Sequence, residues 1–184
     1  MYEESGMPLF IAFMINNERL YEVGKYFEYY GYAAVPLENQ HLTLLFIGDV
    51  DSYHYYLIKQ RLATLMVEHS RFLKIERLEL LPPHKATNIA AIVRVEDDML
   101  RIRNEMLEML EDIVKIQDRY SFYPHITIAR RPRPAPEYII NDVLKRMKRI
   151  ETLIPKTVHV RGLALISSRA GKYSVELWLS KPLT

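Results

Sequence analysis

A four-residue pattern occurs twice in this chain, as His41-Leu42-Thr43-Leu44 and as His125-Ile126-Thr127-Ile128. In a β-strand successive side chains point to opposite faces. Each copy therefore sets one imidazole and one hydroxyl on one face and two apolar side chains on the other. Counting template matches, a chain of this composition yields about 0.06 such tetrads by chance, so two copies argue for a shared purpose. Their places, at 41 and 125 of 184 residues, suit two similar halves that each give one His-Thr pair to a common cleft.

The segments around the tetrads alternate between strand and helix. Residues 8–15 are a nearly continuous apolar run, read as a buried strand. Asn16 or Asn17 offers an N-cap for a helix to about Tyr30, closed by Gly31. The first His strand comes next and is expected to end at Gly48. Asp51 or Ser52 caps a second helix to about Ser70, with Tyr56, Leu62, Leu65 and Met66 towards the core. Residues 72–80 and 88–95 read as a hairpin around the turn Leu81-Pro82-Pro83-His84-Lys85. Asp97 and Asp98 open a helix to about Lys115, burying Leu100, Met106, Leu107 and Leu110. Residues 120–130 carry the second His strand, with Pro124 forcing an extended approach to His125. A Pro- and Arg-rich stretch at 130–136 leads to a helix over 137–150 with a basic end, which suits its C-terminal dipole. Strands over 158–167 and 173–179 close the chain as a hairpin. Short turns between neighbouring strands argue for an α+β fold with antiparallel pairing, not a doubly wound parallel sheet.

Composition narrows the chemistry. There are no cysteines, so disulfides, thiolate nucleophiles and thiolate metal sites are excluded. The net charge of +2 permits a phosphate-bearing ligand without demanding one. No apolar run approaches the ~18 residues of a membrane span, and Glu3 and Glu4 stand where a signal peptide would be basic. A cytoplasmic protein is expected, monomeric, with residues 1–184 forming one domain of two intertwined lobes.

Two histidines across a cleft can act as complementary acid and base, because imidazole titrates near pH 6.5. The Thr hydroxyls are uncharged donors suited to an anionic oxygen. The pattern thus fits a substrate with a negatively charged centre flanked on both sides, and phosphate fits best. Two histidines without a third ligand make a poor zinc site, and neither His-x-x-x-His nor His-Glu-x-x-His spacing occurs, so neither metal nor cofactor is expected. No Gly-x-Ser-x-Gly elbow and no Gly-rich phosphate loop is present. His54, His69, His84 and His159 lack a Thr two residues on and read as structural.

The two tetrads resemble those of the 2H phosphoesterase superfamily. Asn39-Gln40-His41-Leu42-Thr43-Leu44-Leu45-Phe46-Ile47-Gly48 and Tyr123-Pro124-His125-Ile126-Thr127-Ile128-Ala129-Arg130 are similar to the two signatures of its LigT-like RNA 2′,3′-cyclic phosphodiesterases, formerly described as 2′-5′ RNA ligases. Leu9-Phe10-Ile11-Ala12 and Gly171-Lys172-Tyr173-Ser174-Val175 extend the resemblance over nearly the whole chain. Pro8 stands where the family often has Arg, Gln40 where it often has Leu, and Leu45 where it often has Lys.

The resemblance implies a bilobal α+β fold: two pseudo-twofold-related lobes of antiparallel sheet, helices outside and a central positive cleft. It implies metal-independent hydrolysis of an RNA 2′,3′-cyclic phosphate end to a 2′-phosphate, with tRNA fragments among the RNAs. His41 would protonate the departing 3′-oxygen and His125 would activate water; the near-symmetric tetrads leave the reverse assignment open. Thr43 and Thr127 would hold the non-bridging oxygens, and Arg130 would bind phosphate. Strict alternation places Arg130 on the opposite face from His125, so either the strand bends or the side chain reaches around. Tyr173 has two readings, a base-stacking ring or a core ring, and Arg131 and Arg133 meet RNA backbone or nothing. Two rival functions share the tetrads: 2′-5′ RNA end-joining by the reverse step, and a non-catalytic module that clasps RNA ends.

Overall fold

Nine strands and four helices succeed one another in the computed structural model, which describes residues 6–118 and 121–183. The strands are β1 (Met7–Met14), β2 (Ala33–Ala34), β3 (His41–Val50), β4 (Phe72–Leu81), β5 (Asn88–Val93), β6 (His125–Arg130), β7 (Thr157–His159), β8 (Gly162–Arg169) and β9 (Lys172–Trp178). The helices are α1 (Glu18–Lys25), α2 (Ser52–Leu62), α3 (Asp97–Leu110) and α4 (Glu137–Ile150). Every strand pairing among the described residues is antiparallel, so the expected α+β class holds.

The sheet runs β7-β4-β5-β6-β3-β1-β8-β9, with the short β2 also on β6. Read from its middle, this order is two like halves back to back. β3, β1, β8 and β9 form one, and β6, β5, β4 and β7 the other. They meet where Leu42 pairs with Ile126. A second junction lies at residues 160–161: the Val160 N–H donates to Arg71 O at 2.8 Å and the Arg161 N–H to Met14 O at 2.8 Å. Here the chain passes from β7, on β4, to β8, on β1. The strand expected over 158–167 is therefore two strands, because its ends belong to different halves.

One face of the sheet carries the helices. Leu20 and Val23 of α1, Ile58 and Leu62 of α2, Met99, Ile102 and Met106 of α3, and Val143 and Met147 of α4 share a core with Leu42, Leu44, Ile126 and Ile128. The opposite face holds a smaller cluster, Phe10, Ala12, Met14, Ala164 and Ile166, and the polar members of both tetrads.

The halves match in detail. Ile11 pairs with Leu45 and Ala12 with Thr43, so Leu44 is an extra residue in β3. Ile89 pairs with Ala129 and Ala90 with Thr127, so Ile128 is the extra residue in β6. Each bulge lies three residues past its histidine, and a bulge bends its strand and re-aims the side chains beyond it. It also frees a carbonyl. Ile128 O accepts from the Val35 N–H at 2.8 Å, and Leu44 O from Arg103 Nη1 at 2.7 Å. Helix α1 rests on the first of these bulges through Gly24, where a Cβ would come within 2.5 Å of Ile128 O. Gly24→Ala is expected to push α1 off β6 and cost about 1–3 kcal/mol, the usual penalty for overpacking. Urea unfolding checks this, and an unchanged midpoint would show that the contact is dispensable.

Several boundaries differ from the sequence reading, each for a tertiary reason. Helix α1 stops at Lys25, not Tyr30, because the chain tightens into 3-10 turns that carry Phe27 fully into the core. Gly31 still closes the segment, with φ of 82°. Helix α2 ends at Leu62, not near Ser70, and the chain then runs to β9, the Val67 N–H donating to Leu179 O at 2.7 Å. Met66, past the helix end, is consequently exposed, while within α2 Ile58 and Leu62 face the core and Tyr56 faces solvent. Helix α3 ends at Leu110 and buries Met99 and Ile102 where Leu100 was expected. Strand β5 ends at Val93, and β3 continues through Gly48, a second irregularity with φ of 109°. Strand β6 begins at His125; of the residues expected before it, Tyr120 lies outside the described residues. The final turn is tighter than expected, since Ala170 and Gly171 both have positive φ between the paired Arg169 and Lys172, as two-residue hairpin loops require.

Candidate active site

The Leu42–Ile126 pair fixes how the tetrads meet. With antiparallel strands in this register, His41 stands across from Thr127 and Thr43 across from His125. All four share the helix-free face, and each is partly exposed. Each histidine therefore sits beside the threonine of the other half.

The two imidazoles are held alike. His41 Nδ1 lies 2.8 Å from Asn39 O, and His125 Nδ1 lies 2.7 Å from Tyr123 O. A carbonyl only accepts, so Nδ1 carries the proton in both rings, and Nε2 is left for chemistry. The start of β3 is further fixed by Gln40, fully buried, whose amide bonds both the N–H and the C=O of Asn17.

The surroundings of the two rings differ. His41 packs against Phe10, with ring centroids 5.1 Å apart, and edge-on against Tyr173 at 5.0 Å. Burial in this aromatic sleeve pushes the imidazole down to about 4, and the charges of Arg130 and His125 act in the same direction, while the hydrogen bond to Asn39 opposes them. On the other half, the residue in Phe10's place is Asn88: Phe10 pairs with Phe46, and Asn88 with Arg130. The sequence reading missed Phe10. Its signal was the alternation Phe10, Ala12, Met14 on a strand otherwise read as buried throughout.

The bulge at Ile128 answers the question of Arg130. The burial sequence of β6 places Ile128 and Ala129 both in the core, and Arg130 returns to the histidine face. Its guanidinium sits 6.0 Å from the Tyr173 ring centroid. Tyr173 itself packs edge-on against His41 and Phe10 and remains partly exposed. Arg131 folds back over its own loop, Nη1 donating to Pro134 O at 2.8 Å, and Arg133 is exposed.

The remaining histidines make structural contacts. His54 bonds the Asp51 carboxylate that caps α2, His69 bonds Ser180 and Ser70 O, and His159 packs edge-on against Phe72. His84 is exposed in its turn. No group of three or more His, Asp or Glu among the described residues is placed to hold a metal ion. No described helix is long and apolar enough to cross a membrane.

Two half-sheets that cross one His-x-Thr pair each over a shared trough define a protein of the two-histidine, or 2H, type. The chain belongs to the 2′-5′ RNA ligase superfamily, whose family description matches residues 18–172. An RNA 2′,3′-cyclic phosphodiesterase of Archaeoglobus fulgidus is 28% identical over 117 residues. That match takes in 63% of this chain and 64% of the relative, so the chain spans just under two thirds of that relative's length. Among solved structures, a Thermus thermophilus protein, TT0787, superposes with a TM-score of 0.62 at 23% identity, over 95% of this chain and 99% of the other. LigT of E. coli in complex with phosphate gives 0.60 at 14% identity, over 98% of this chain and all of the other. These likenesses establish the fold.

Proposed function

We propose that the chain hydrolyses the 2′,3′-cyclic phosphate at an RNA end to a 2′-phosphate, by acid–base catalysis between His41 and His125. The observation that carries this reading is the pair of Nε2 atoms left free on one face by matching Nδ1–carbonyl bonds. The name of the Archaeoglobus relative, an RNA 2′,3′-cyclic phosphodiesterase, supports the substrate group and the class of bond broken. Water attacks phosphorus as His125 Nε2 takes its proton. The bond from phosphorus to the 3′-oxygen breaks as His41 Nε2 supplies a proton to that oxygen. Thr43 and Thr127 donate to the non-bridging oxygens, and Arg130 balances their charge. An in-line displacement has its entering and leaving oxygens on opposite sides, which is why two proton-transfer groups serve better than one.

Burial leaves His41 neutral at pH 7. In this scheme it takes up its proton as the anionic substrate binds. The test is hydrolysis, with EDTA present, of a short RNA ending in a 2′,3′-cyclic phosphate, with the product resolved as 2′- or 3′-phosphate. A 2′-phosphate is expected. A 3′-phosphate would reverse the leaving group. RNA binding without turnover would make the site an end-clasping module, and a joined product with 5′-hydroxyl RNA would favour the reverse, ligating step.

A further inference from the structure

Tyr123 supplies the carbonyl that holds the Nδ1 proton of His125, and its side chain is tied down in its own right. The phenol donates to Glu79 Oε2 at 2.6 Å and accepts from Arg77 Nη2 at 3.0 Å. Arg77 Nε donates in turn to Glu79 Oε1 at 2.7 Å. The three side chains close a ring of hydrogen bonds, although Tyr123 is 42% exposed. Ion pairs this exposed add little stability, so the consequence of the ring lies in where it is fastened.

The sheet brings it there. Arg77 pairs with Ile92 and Ile92 with His125; Glu79 pairs with Ala90 and Ala90 with Thr127. Directly paired residues of an antiparallel sheet share a face. Both charges therefore stand on the helix-free face, two strands out from the second tetrad. Burial raises the Glu79 carboxyl, but the hydrogen bonds from Tyr123 and Arg77 and the charges of Arg77 and His125 outweigh it and hold the group below the usual carboxylate value. An ionised carboxylate only accepts, so the phenol proton points to Glu79.

The other half holds its histidine by different means. There the same rows lead from His41 through Met14 to Gly162, and from Thr43 through Ala12 to Ala164. Neither end residue can carry a charge, and the Trp178 ring covers Gly162, where a Cβ would come within 2.9 Å of it. On that side the residue before the histidine, Gln40, does the holding from the core. The residue before His125 is Pro124, which has no amide side chain; its carbonyl accepts from the Val93 N–H at 3.0 Å. Fixing the carbonyl that His125 needs falls to the side chain of Tyr123.

We propose that Glu79 and Tyr123 are the positioning pair of His125: their hydrogen bond anchors the residue whose carbonyl fixes the imidazole tautomer, and so aims Nε2 into the trough. The assignment rests on the reading of the trough as a hydrolytic site, and two measurements keep the two apart. The first needs no substrate. Imidazole nitrogen shifts by NMR, at about pH 8.5 where imidazole is neutral, report which nitrogen carries the proton. In the wild type it should be Nδ1 in both rings. In Tyr123→Phe and in Glu79→Ala, His125 should move towards the Nε2–H form while His41, in the same molecule, stays as it was. An unmoved His125, or a His41 that moves with it, would overturn the assignment. The second measurement is turnover of a short RNA ending in a 2′,3′-cyclic phosphate. Tyr123→Phe should lower kcat by about 10- to 100-fold, the scale on which a misplaced group loses rate. KM should hardly change, since Thr43, Thr127 and Arg130 are untouched. Glu79→Gln, which keeps an acceptor for the phenol, should recover most of what Glu79→Ala loses. A loss carried by KM, or a Glu79→Gln no better than Glu79→Ala, would overturn the pair. If the wild type hydrolyses nothing, the hydrolytic reading fails and the tautomer alone decides whether Glu79 and Tyr123 hold the ring.

Discussion

His41→Ala and His125→Ala should each lower kcat on an RNA 2′,3′-cyclic phosphate by about 10²–10⁴-fold, the usual contribution of one positioned acid or base. Binding of the RNA end should change far less, since Thr43, Thr127 and Arg130 remain. A leaving group that needs no proton tells the two histidines apart. On a 4-nitrophenyl phosphodiester, His41→Ala should recover most of its lost rate, while His125→Ala should stay impaired. The opposite pattern would exchange their roles. Loss of affinity with turnover largely intact would make the histidines a clasp and remove them from the chemistry.

The second large effect concerns the aromatic sleeve. By NMR, the His41 ring in the free protein should titrate near pH 4, mainly because Phe10 and Tyr173 bury it. Phe10→Asn copies into this half the residue that occupies the same place in the other. It should move that midpoint up by about one unit or more, since burial alone shifts histidines by several units. An unmoved midpoint would show that the rings do not set it. Proton linkage then has a definite sign. His41 has lost its proton above about pH 4 in the free state, and in the proposed scheme an anion beside it restores one. Binding of a phosphodiester of fixed single charge should therefore take up protons, and affinity should rise as pH falls from about 6.5 towards 4. Calorimetry in two buffers of different ionisation heat measures the uptake. Absence of uptake, with a rate that falls as His41 becomes protonated, would mark His41 as the base.

The tetrads were legible because period-two alternation leaves little freedom once a histidine and a threonine share a face. What alternation cannot carry is its own interruption. The doubled apolar pairs Leu44-Leu45 and Ile128-Ala129 mark both bulges, yet in one strand alone such a pair looks like ordinary burial. The face of Arg130 was therefore left open, and the exposure of Phe46 was missed. Helix ends erred in one direction. Residues after Lys25, Leu62 and Leu110 keep a helical apolar rhythm, but the chain leaves the helix to reach Phe27's pocket, the end of β9 and the approach to β6. Arg103 escaped notice because a charged residue beside the buried stripe of an amphipathic helix looks like solvated surface. Its partners, Asp118 and Leu44 O, are brought to it only by the fold.

The crosswise pairing of the tetrads has a bearing on how this chain behaves before it is complete. Each histidine sits across from the hydroxyl of the other half, and, among the eight strands of the two halves, the chain crosses between the half-sheets twice, after β3 and again at residues 160–161. A chain cut before residue 125, or a proteolytic remnant of one half, carries one imidazole of the pair and no partner. In the proposed reading, hydrolysis in an extract would report molecules that hold both halves, and separated halves would contribute nothing.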